Sequence, residues 1–256
     1  MPVLFVGHGS PMNAIEDNRW SRAFRELGRT LPRPRAILSI SAHWYGAGVF
    51  TTAQERPSTI HDFGGFPPAL FAVQYPAPGE PSLAARVAEL CAAEDAAPST
   101  AWGLDHGTWS VLVHLCPEAD VPVVQLSLDA RLAPERHLEL ARALAPLPDE
   151  GVLVLGSGNA VHNLRDAFGR MAAGDRSVPD WAERFDAEVA RACVERDGAF
   201  LCRAPASADG RNAHPTIEHY LPLLYALGAA GARARVSFPI EGFDHSLSMR
   251  TVRFDA

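Results

Sequence analysis

Short apolar runs alternate with longer amphipathic segments along most of the chain. The short runs are rich in Val, Ile and Leu, as in strands that are buried on both faces. Alternating strands and helices are typical of a mostly parallel sheet with helices on both faces. We therefore predict a single α/β domain over residues 1–256, with strands at 3–6, 36–41, 49–52, 121–128, 151–155 and 234–238 and helices at 17–27, 81–93, 107–115, 134–144, 180–196 and 216–227.

Two further features refine this outline. Residues 51–80 are rich in proline and glycine, and we predict a long ordered loop there, which in a compact domain is usually functional. Gly228 follows the last predicted helix and is expected to end it. No internal repeat or linker divides the chain.

Composition excludes several function classes. The 256 residues carry a formal net charge of -7 without a basic stripe, so we expect no nucleic-acid partner. The chain has no apolar run of the ~20 residues that cross a membrane and no signal-peptide pattern, so we expect no membrane partner and a cytoplasmic protein. The four cysteines form no C-x-x-C pair and are expected to be free thiols. A monomer or small homo-oligomer is expected.

The placement of histidines carries the main chemical signal. His8, His43 and His162 come just past the carboxyl ends of three predicted strands, the edge where ligands bind in open α/β sheets. His219 is expected in the first turn of the helix at 216–227. Four converging imidazoles would suit iron(II) or zinc. Each histidine has the alternative of being a hydrogen-bonded core or capping residue.

Two other segments pair a histidine with an aspartate beside glycines and aromatic residues. One is His-Asp-Phe-Gly-Gly-Phe-Pro at 61–67, and the other is Trp-Gly-Leu-Asp-His-Gly-Thr-Trp at 102–109. Such segments can line an aromatic pocket and supply a proton donor. The alternative for Asp105 is that it caps the next helix.

These motifs make the chain resemble a known family. Gly-His-Gly-Ser-Pro-Met-Asn at 7–13, Ser-Ala-His-Trp at 41–44, the two segments above, Gly-Asn-Ala-Val-His-Asn-Leu at 158–164 and Glu-His-Tyr-Leu-Pro-Leu-Leu at 218–224 are similar to the 4,5-DOPA extradiol dioxygenases. These are class III extradiol ring-opening dioxygenases, related to the β subunit of protocatechuate 4,5-dioxygenase. The matches span nearly the whole chain, residues 1–256, in the family's order.

The resemblance implies roles for individual residues. His8, His43 and His219 match the metal ligands, and His162 matches an acid/base catalyst beside the metal that becomes a fourth ligand in zinc-loaded forms. His106 matches a histidine near the substrate pocket, with a catalytic role. The protocatechuate relatives use a glutamate where this chain has His219, and an all-histidine set also suits zinc.

The resemblance also implies an activity and cofactors. The expected activity is the opening of a catechol ring with dioxygen at iron(II), giving a muconic semialdehyde, and zinc is expected as purified. His61 and His106 are expected to bind the small-molecule substrate. Two alternatives stay open: a zinc-dependent hydrolase, in which the same histidines activate water, and a non-catalytic metal-binding protein on the same fold.

Overall fold

The computed structural model describes residues 1–255, which form one α/β domain around an eight-stranded sheet. The strands are β1 Val3–Gly7, β2 Ala36–Gly46, β3 Phe50–Thr52, β4 Ala97–Ser99, β5 Val123–Asp129, β6 Val152–Gly158, β7 Arg235–Ile240, β8 Phe243–Asp244, β9 Leu247–Ser248 and β10 Thr251–Asp255. The helices are α1 Arg19–Thr30, α2 Pro68–Phe71, α3 Pro81–Leu90, α4 His106–Leu115, α5 Pro134–Ala143, α6 Leu164–Ala173, α7 Asp180–Glu195, α8 Gly198–Arg203, α9 Ala208–Ala213 and α10 Leu221–Ala229.

The centre of the sheet is parallel, as predicted. Its strand order is β4-β3-β5-β2-β6-β1-β10-β7, and the four neighbours β5, β2, β6 and β1 all run parallel. Antiparallel pairs join β3 to β5, β1 to β10 and β10 to β7. The separate β8–β9 hairpin completes the strands.

Successive residues of the central strands point to two different cores. In β1, Val3 and Phe5 pack into one hydrophobic cluster, whereas Leu4 and Val6 pack into the other. This alternation follows from the two-residue period of a strand. It explains why the strand sequences are continuously apolar, and it confirms the prediction of helices on both faces.

The last helix begins later than predicted. Residues 216–220 form turns rather than helix, and α10 begins at Leu221. Pro222 stands in the first turn, where its missing N–H costs nothing. Gly228 does not end α10 but lies inside it. Glycine is needed there for the packing of α10 against α5, since a Cβ would lie 2.5 Å from the Cβ of Ala141.

Several elements were not predicted. They are the helices α2, α6, α8 and α9 and the strands β4, β8, β9 and β10. No helix within residues 1–255 has the length and apolarity needed to span a membrane. All four cysteines within this range are free thiols, as expected.

Candidate metal centre and active site

Three neighbouring parallel strands deliver histidines to one edge of the sheet. His8 directly follows β1, and His162 comes four residues after β6. His43 was predicted to follow its strand, but it lies within β2. The pairing of β2 with β5 is interrupted around it, between Ile40 and Tyr45. Because β2, β6 and β1 are adjacent and parallel, their carboxyl ends share this edge.

Five imidazole rings meet there. The ring centroids of His8 and His43 are 5.2 Å apart, and His219 lies 5.3 Å from His8 and 5.0 Å from His43. His162 stacks on His219 with a centroid distance of 3.5 Å and an interplanar angle of 4°. His106 lies 3.8 Å from His43 and 6.0 Å from His8. The structure therefore brings together every predicted ligand and adds His106.

Ring nitrogens of His8, His43 and His106 lie within 4.8 Å of one another. This trio contains two of the predicted ligands, but its third member is the histidine that the resemblance places beside the substrate. His219 is the other neighbour of the His8–His43 pair. It reaches the cluster from the turn before α10, and not from the first turn of a helix as predicted.

Two glycines allow this close assembly. A Cβ on Gly158 would lie 2.1 Å from the carbonyl oxygen of His219, and a Cβ on Gly107 would lie 2.8 Å from Cδ2 of His43. Only a residue without a side chain permits either approach. Gly158 thus lets the His219 turn, and Gly107 the start of α4, lie close to the edge of the sheet.

A hydroxyl fixes the protonation of His8. The Ser157 Oγ donates its hydrogen to the carbonyl of Gly107 at 2.5 Å, so it accepts from the Nδ1 of His8 at 2.9 Å. The hydrogen of His8 therefore sits on Nδ1, and Nε2 keeps its lone pair. In the same way, the Nδ1 of His219 lies 3.2 Å from the Glu218 carboxylate. Metal-bound histidines in proteins are usually oriented through their second nitrogen like this.

Asp62 performs the same task for two further rings. Its Oδ2 lies 2.9 Å from the Nδ1 of His106 and 3.2 Å from the Nδ1 of His43. Burial raises the pKa of the Asp62 carboxyl, but its contacts with His106 and His43 outweigh burial and hold that pKa well below its usual range. Sequence reasoning noted Asp62 only as part of a motif and gave Ser157 no role.

Burial favours the uncharged form of most of these rings. Burial lowers the pKa of His8 and of His219 well below the ordinary value, and the neighbouring imidazoles lower both further. Burial also lowers the pKa of His162 to about 3, with a contribution from His214. Neutral imidazoles are the form that binds metals.

An aromatic wall stands beside the cluster. The Phe63 ring lies 5.3 Å from His106 and 6.1 Å from Trp109, and Phe71 lies 5.1 Å from Phe63. His61 is part of this wall, 5.5 Å from Trp109, and its Nε2 donates to the backbone carbonyl of residue 73 at 3.0 Å. Such a surface suits a planar aromatic ligand.

The segment at 102–109 has a structural role as well. Asp105 is the N-cap of α4 and accepts from the backbone N–H of Thr108 at 3.2 Å, the alternative that the sequence left open. Its carboxylate also accepts from the Trp102 indole at 3.2 Å. Trp102 stacks on Trp44, next to His43, with centroids 5.7 Å apart. The cap thus fixes His106 at the first position of α4.

The remaining histidines lie outside the cluster. His114 and His214 donate to backbone carbonyls, and His137 bonds to a buried tyrosine hydroxyl. His245 adopts a positive φ of 56° in the turn of the β8–β9 hairpin and contacts the neighbouring aspartate. These contacts account for His114, His137 and His214 as structural residues.

The donor set fits a divalent transition metal. The Nε2 of His43 is buried and has no hydrogen-bond partner within residues 1–255, so this lone pair lacks the partner that a buried polar atom normally has. Imidazole suits iron(II) and zinc alike. A metal ion among these rings would satisfy the nitrogen that the protein itself leaves unpaired.

Comparisons with known proteins show which family the chain belongs to. A family model described as the catalytic LigB subunit of aromatic ring-opening dioxygenase matches residues 2–251. The chain is 48% identical over 259 aligned residues, 99% of this chain and 94% of the relative, to a 4,5-DOPA dioxygenase extradiol of Escherichia coli (strain K12). It is 39% identical to the Beta vulgaris protein of the same name, covering 94% of this chain and 91% of that one.

A solved structure extends the agreement to three dimensions. The crystal structure of an uncharacterized protein from Escherichia coli K12 is similar with a TM-score of 0.84 and 42% identity, covering 99% of each chain. Members of this family depend on a metal, and the histidine cluster provides a place for one. The chain therefore belongs to the family of the catalytic LigB subunit of aromatic ring-opening dioxygenase and is an extradiol ring-opening dioxygenase.

Proposed function

We propose that this enzyme opens the ring of a DOPA-like catechol beside its two hydroxyl groups, not between them, and releases a muconic semialdehyde that carries both atoms of dioxygen. The observation that carries the proposal is the cluster of imidazole rings at the sheet edge, next to an aromatic wall. The names of the bacterial and plant relatives support the choice of catechol.

His8, His43 and His219 would hold the metal, iron(II) in the active enzyme and zinc in the protein as purified. Hydrogen bonds engage the Nδ1 of His8 and of His219, and the Asp62 carboxylate lies 3.2 Å from the Nδ1 of His43, which leaves the Nε2 of each ring for the metal. Bound iron(II) supplies a site that takes up both the catechol and dioxygen and passes electron density between them. The alternative third ligand is His106, because its ring nitrogen and those of His8 and His43 lie within 4.8 Å of one another.

His162 would act as the acid/base catalyst. Its partly buried ring lies flat against that of His219, one of the proposed ligands. A catechol must lose protons on binding, and a neutral imidazole can accept one and return it as the ring opens. His162 would close the coordination shell of zinc only after its ring turns out of the stack with His219, because the lone pairs of two parallel rings cannot point to one ion.

His106 and His61 would bind the substrate, His106 from the side of the cluster where it lies next to His43. Because the Nδ1 of His106 is engaged by Asp62, its Nε2 is the atom that can meet a catechol oxygen. The Nε2 of His61 already donates to a backbone carbonyl, so His61 would contribute its ring to the aromatic wall. The two histidines would thus provide one polar and one apolar contact.

A reconstitution experiment tests the proposal. The purified protein is stripped of metal, loaded anaerobically with iron(II), and given a panel of catechols that includes DOPA before dioxygen is admitted. We expect a yellow semialdehyde whose mass equals catechol plus one dioxygen molecule. Ester hydrolysis by the zinc form without dioxygen would favour the hydrolase. Tight metal binding with neither reaction would favour a non-catalytic protein.

A further inference from the structure

We propose that Asp62 is a positioning residue that orients His43 and His106 together and so links the metal site to the substrate side of the cluster. The inference rests on the proposed function for the roles of these two histidines. The juxtaposition itself is independent of those roles, because one carboxylate contacts both rings.

Both oxygens of Asp62 are engaged. Oδ1 accepts the backbone N–H of His106 at 2.9 Å, which ties the carboxylate to the first residue of α4. Oδ2 lies 2.9 Å from the Nδ1 of His106 and 3.2 Å from the Nδ1 of His43. The Asp62 side chain is only 15% exposed, so water contributes little to this contact.

This arrangement selects one tautomer of each ring. An ionised carboxylate accepts hydrogen bonds and cannot donate one. The Nδ1 of His106 therefore carries its hydrogen. The contact of the His43 Nδ1 with the same oxygen, at 3.2 Å, favours the same tautomer, so that both Nε2 atoms would keep free lone pairs. For His43 this is the buried, unpaired Nε2 that would face the metal.

The three partners come from separate parts of the chain. His43 belongs to β2, His106 begins α4, and Asp62 lies in the irregular segment between β3 and α2. A shift of this segment would therefore reorient a ligand and a substrate-binding group at the same time. Partners that orient a metal-bound histidine typically contribute about 10–100-fold to metal affinity.

Asp62→Asn is the sharpest perturbation, because it preserves size and shape. The amide oxygen can still accept the backbone N–H of His106, but an NH₂ group then faces the two Nδ1 atoms. Both rings must give up the hydrogen on Nδ1 or lose the contact. We expect metal affinity, titrated against a chelator, to fall about 10–100-fold. Asp17→Asn is the matched control, since it removes one negative charge from an exposed aspartate that pairs with surface arginines.

Nitrogen NMR of the metal-free protein provides a readout that needs neither metal nor turnover. We expect His43 and His106 of the wild type to be Nδ1–H tautomers, and both to change to Nε2–H in Asp62→Asn. Nε2–H tautomers in the wild type would overturn the inference even if the enzyme cleaves catechols. Nδ1–H tautomers in a wild type that cleaves none would uphold it while the proposed function fails. Unchanged tautomers and metal affinity in a folded Asp62→Asn protein would also overturn it.

Discussion

The close backbone contact between Gly158 and His219 can be tested by adding a side chain at Gly158. In Gly158→Ala, the new Cβ would lie 2.1 Å from the carbonyl oxygen of His219 and 3.0 Å from its carbonyl carbon. Nonbonded heavy atoms rest about 3.5 Å apart, so the two backbones must separate by roughly 1.4 Å. Neither neighbour is a flexible side chain that can move aside.

The cost of this separation has two parts. Overpacking a buried position costs about 1–3 kcal/mol. The 2.9 Å hydrogen bond from the backbone N–H of Asn159 to the His219 carbonyl would also stretch beyond bonding distance, at about 1 kcal/mol. We therefore expect about 2–4 kcal/mol of destabilisation, which lowers Tm by roughly 2–4 °C for each kcal/mol. Metal affinity should fall as well, because His219 is displaced.

The assay is thermal denaturation of the metal-free protein together with a chelator competition. Gly169→Ala is the matched control, because nothing lies within 4 Å of a Cβ at that position inside α6. An alanine there should stabilise the protein by about 0.5–1 kcal/mol. A Gly158→Ala protein with the Tm and metal affinity of the wild type would refute the reasoning.

Three further predictions concern the histidines. His43→Ala and His219→Ala should each lose tight metal binding, and full metal content in either dialysed variant, measured by mass spectrometry, would remove that residue from the ligand set. Iron-loaded His162→Ala should keep its metal but turn over about 100–10,000-fold more slowly, so near wild-type single-turnover ring opening would exclude it as the base. Metal-free protein should lose stability as the pH falls from about 6.5 towards 4, because burial lowers the pKa of His137 and of His214 to about 4 while the unfolded chain takes up protons from about 6.5 downwards. Each contributes on the order of 3 kcal/mol, and a denaturation midpoint independent of pH over this range would contradict the prediction.

The strand-edge histidines illustrate what sequence can predict. A buried parallel strand is a short local pattern, and the residue that follows it is forced to the carboxyl edge. His8 and His162 could therefore be placed near each other without knowing any side-chain contact. The pattern could not reveal that β2 continues to Gly46, because the continuation depends on pairing with β5 across an irregularity.

The helices show where local patterns are insufficient. In α6 the large apolar residues Leu164, Phe168 and Met171 have the i, i+4, i+7 spacing of a helix, but they are exposed and do not face the core. The start of α10 did have a signal, because Pro222 favours the first turn of a helix and disfavours a helix already under way. Pro222 thus indicates that His219 lies before the helix, as the structure has it.

The role of Asp62 could not be predicted from sequence, because its contacts form only in the tertiary structure. It lies in a segment without regular secondary structure, and the rings it contacts come from β2 and α4. No spacing in the sequence connects positions 43, 62 and 106. The aromatic wall has the same origin, since Phe63 meets Trp109 only after this segment has folded over α4.

The parallel strands at the centre of the sheet imply two different timescales within one site. His8 and His162 are joined to backbones that are hydrogen-bonded to strands on both sides, so freeing them requires opening the interior of the sheet. The segment with Asp62 and Phe63 is held to its surroundings by an isolated bridge between Thr59 and Leu104 and by side chains. Segments of this kind open locally at a much lower free energy than core strands. Amide hydrogen exchange should thus be slow along β1 and β6 and faster at 60–67, so that this wall can admit a substrate while the imidazole scaffold stays in place.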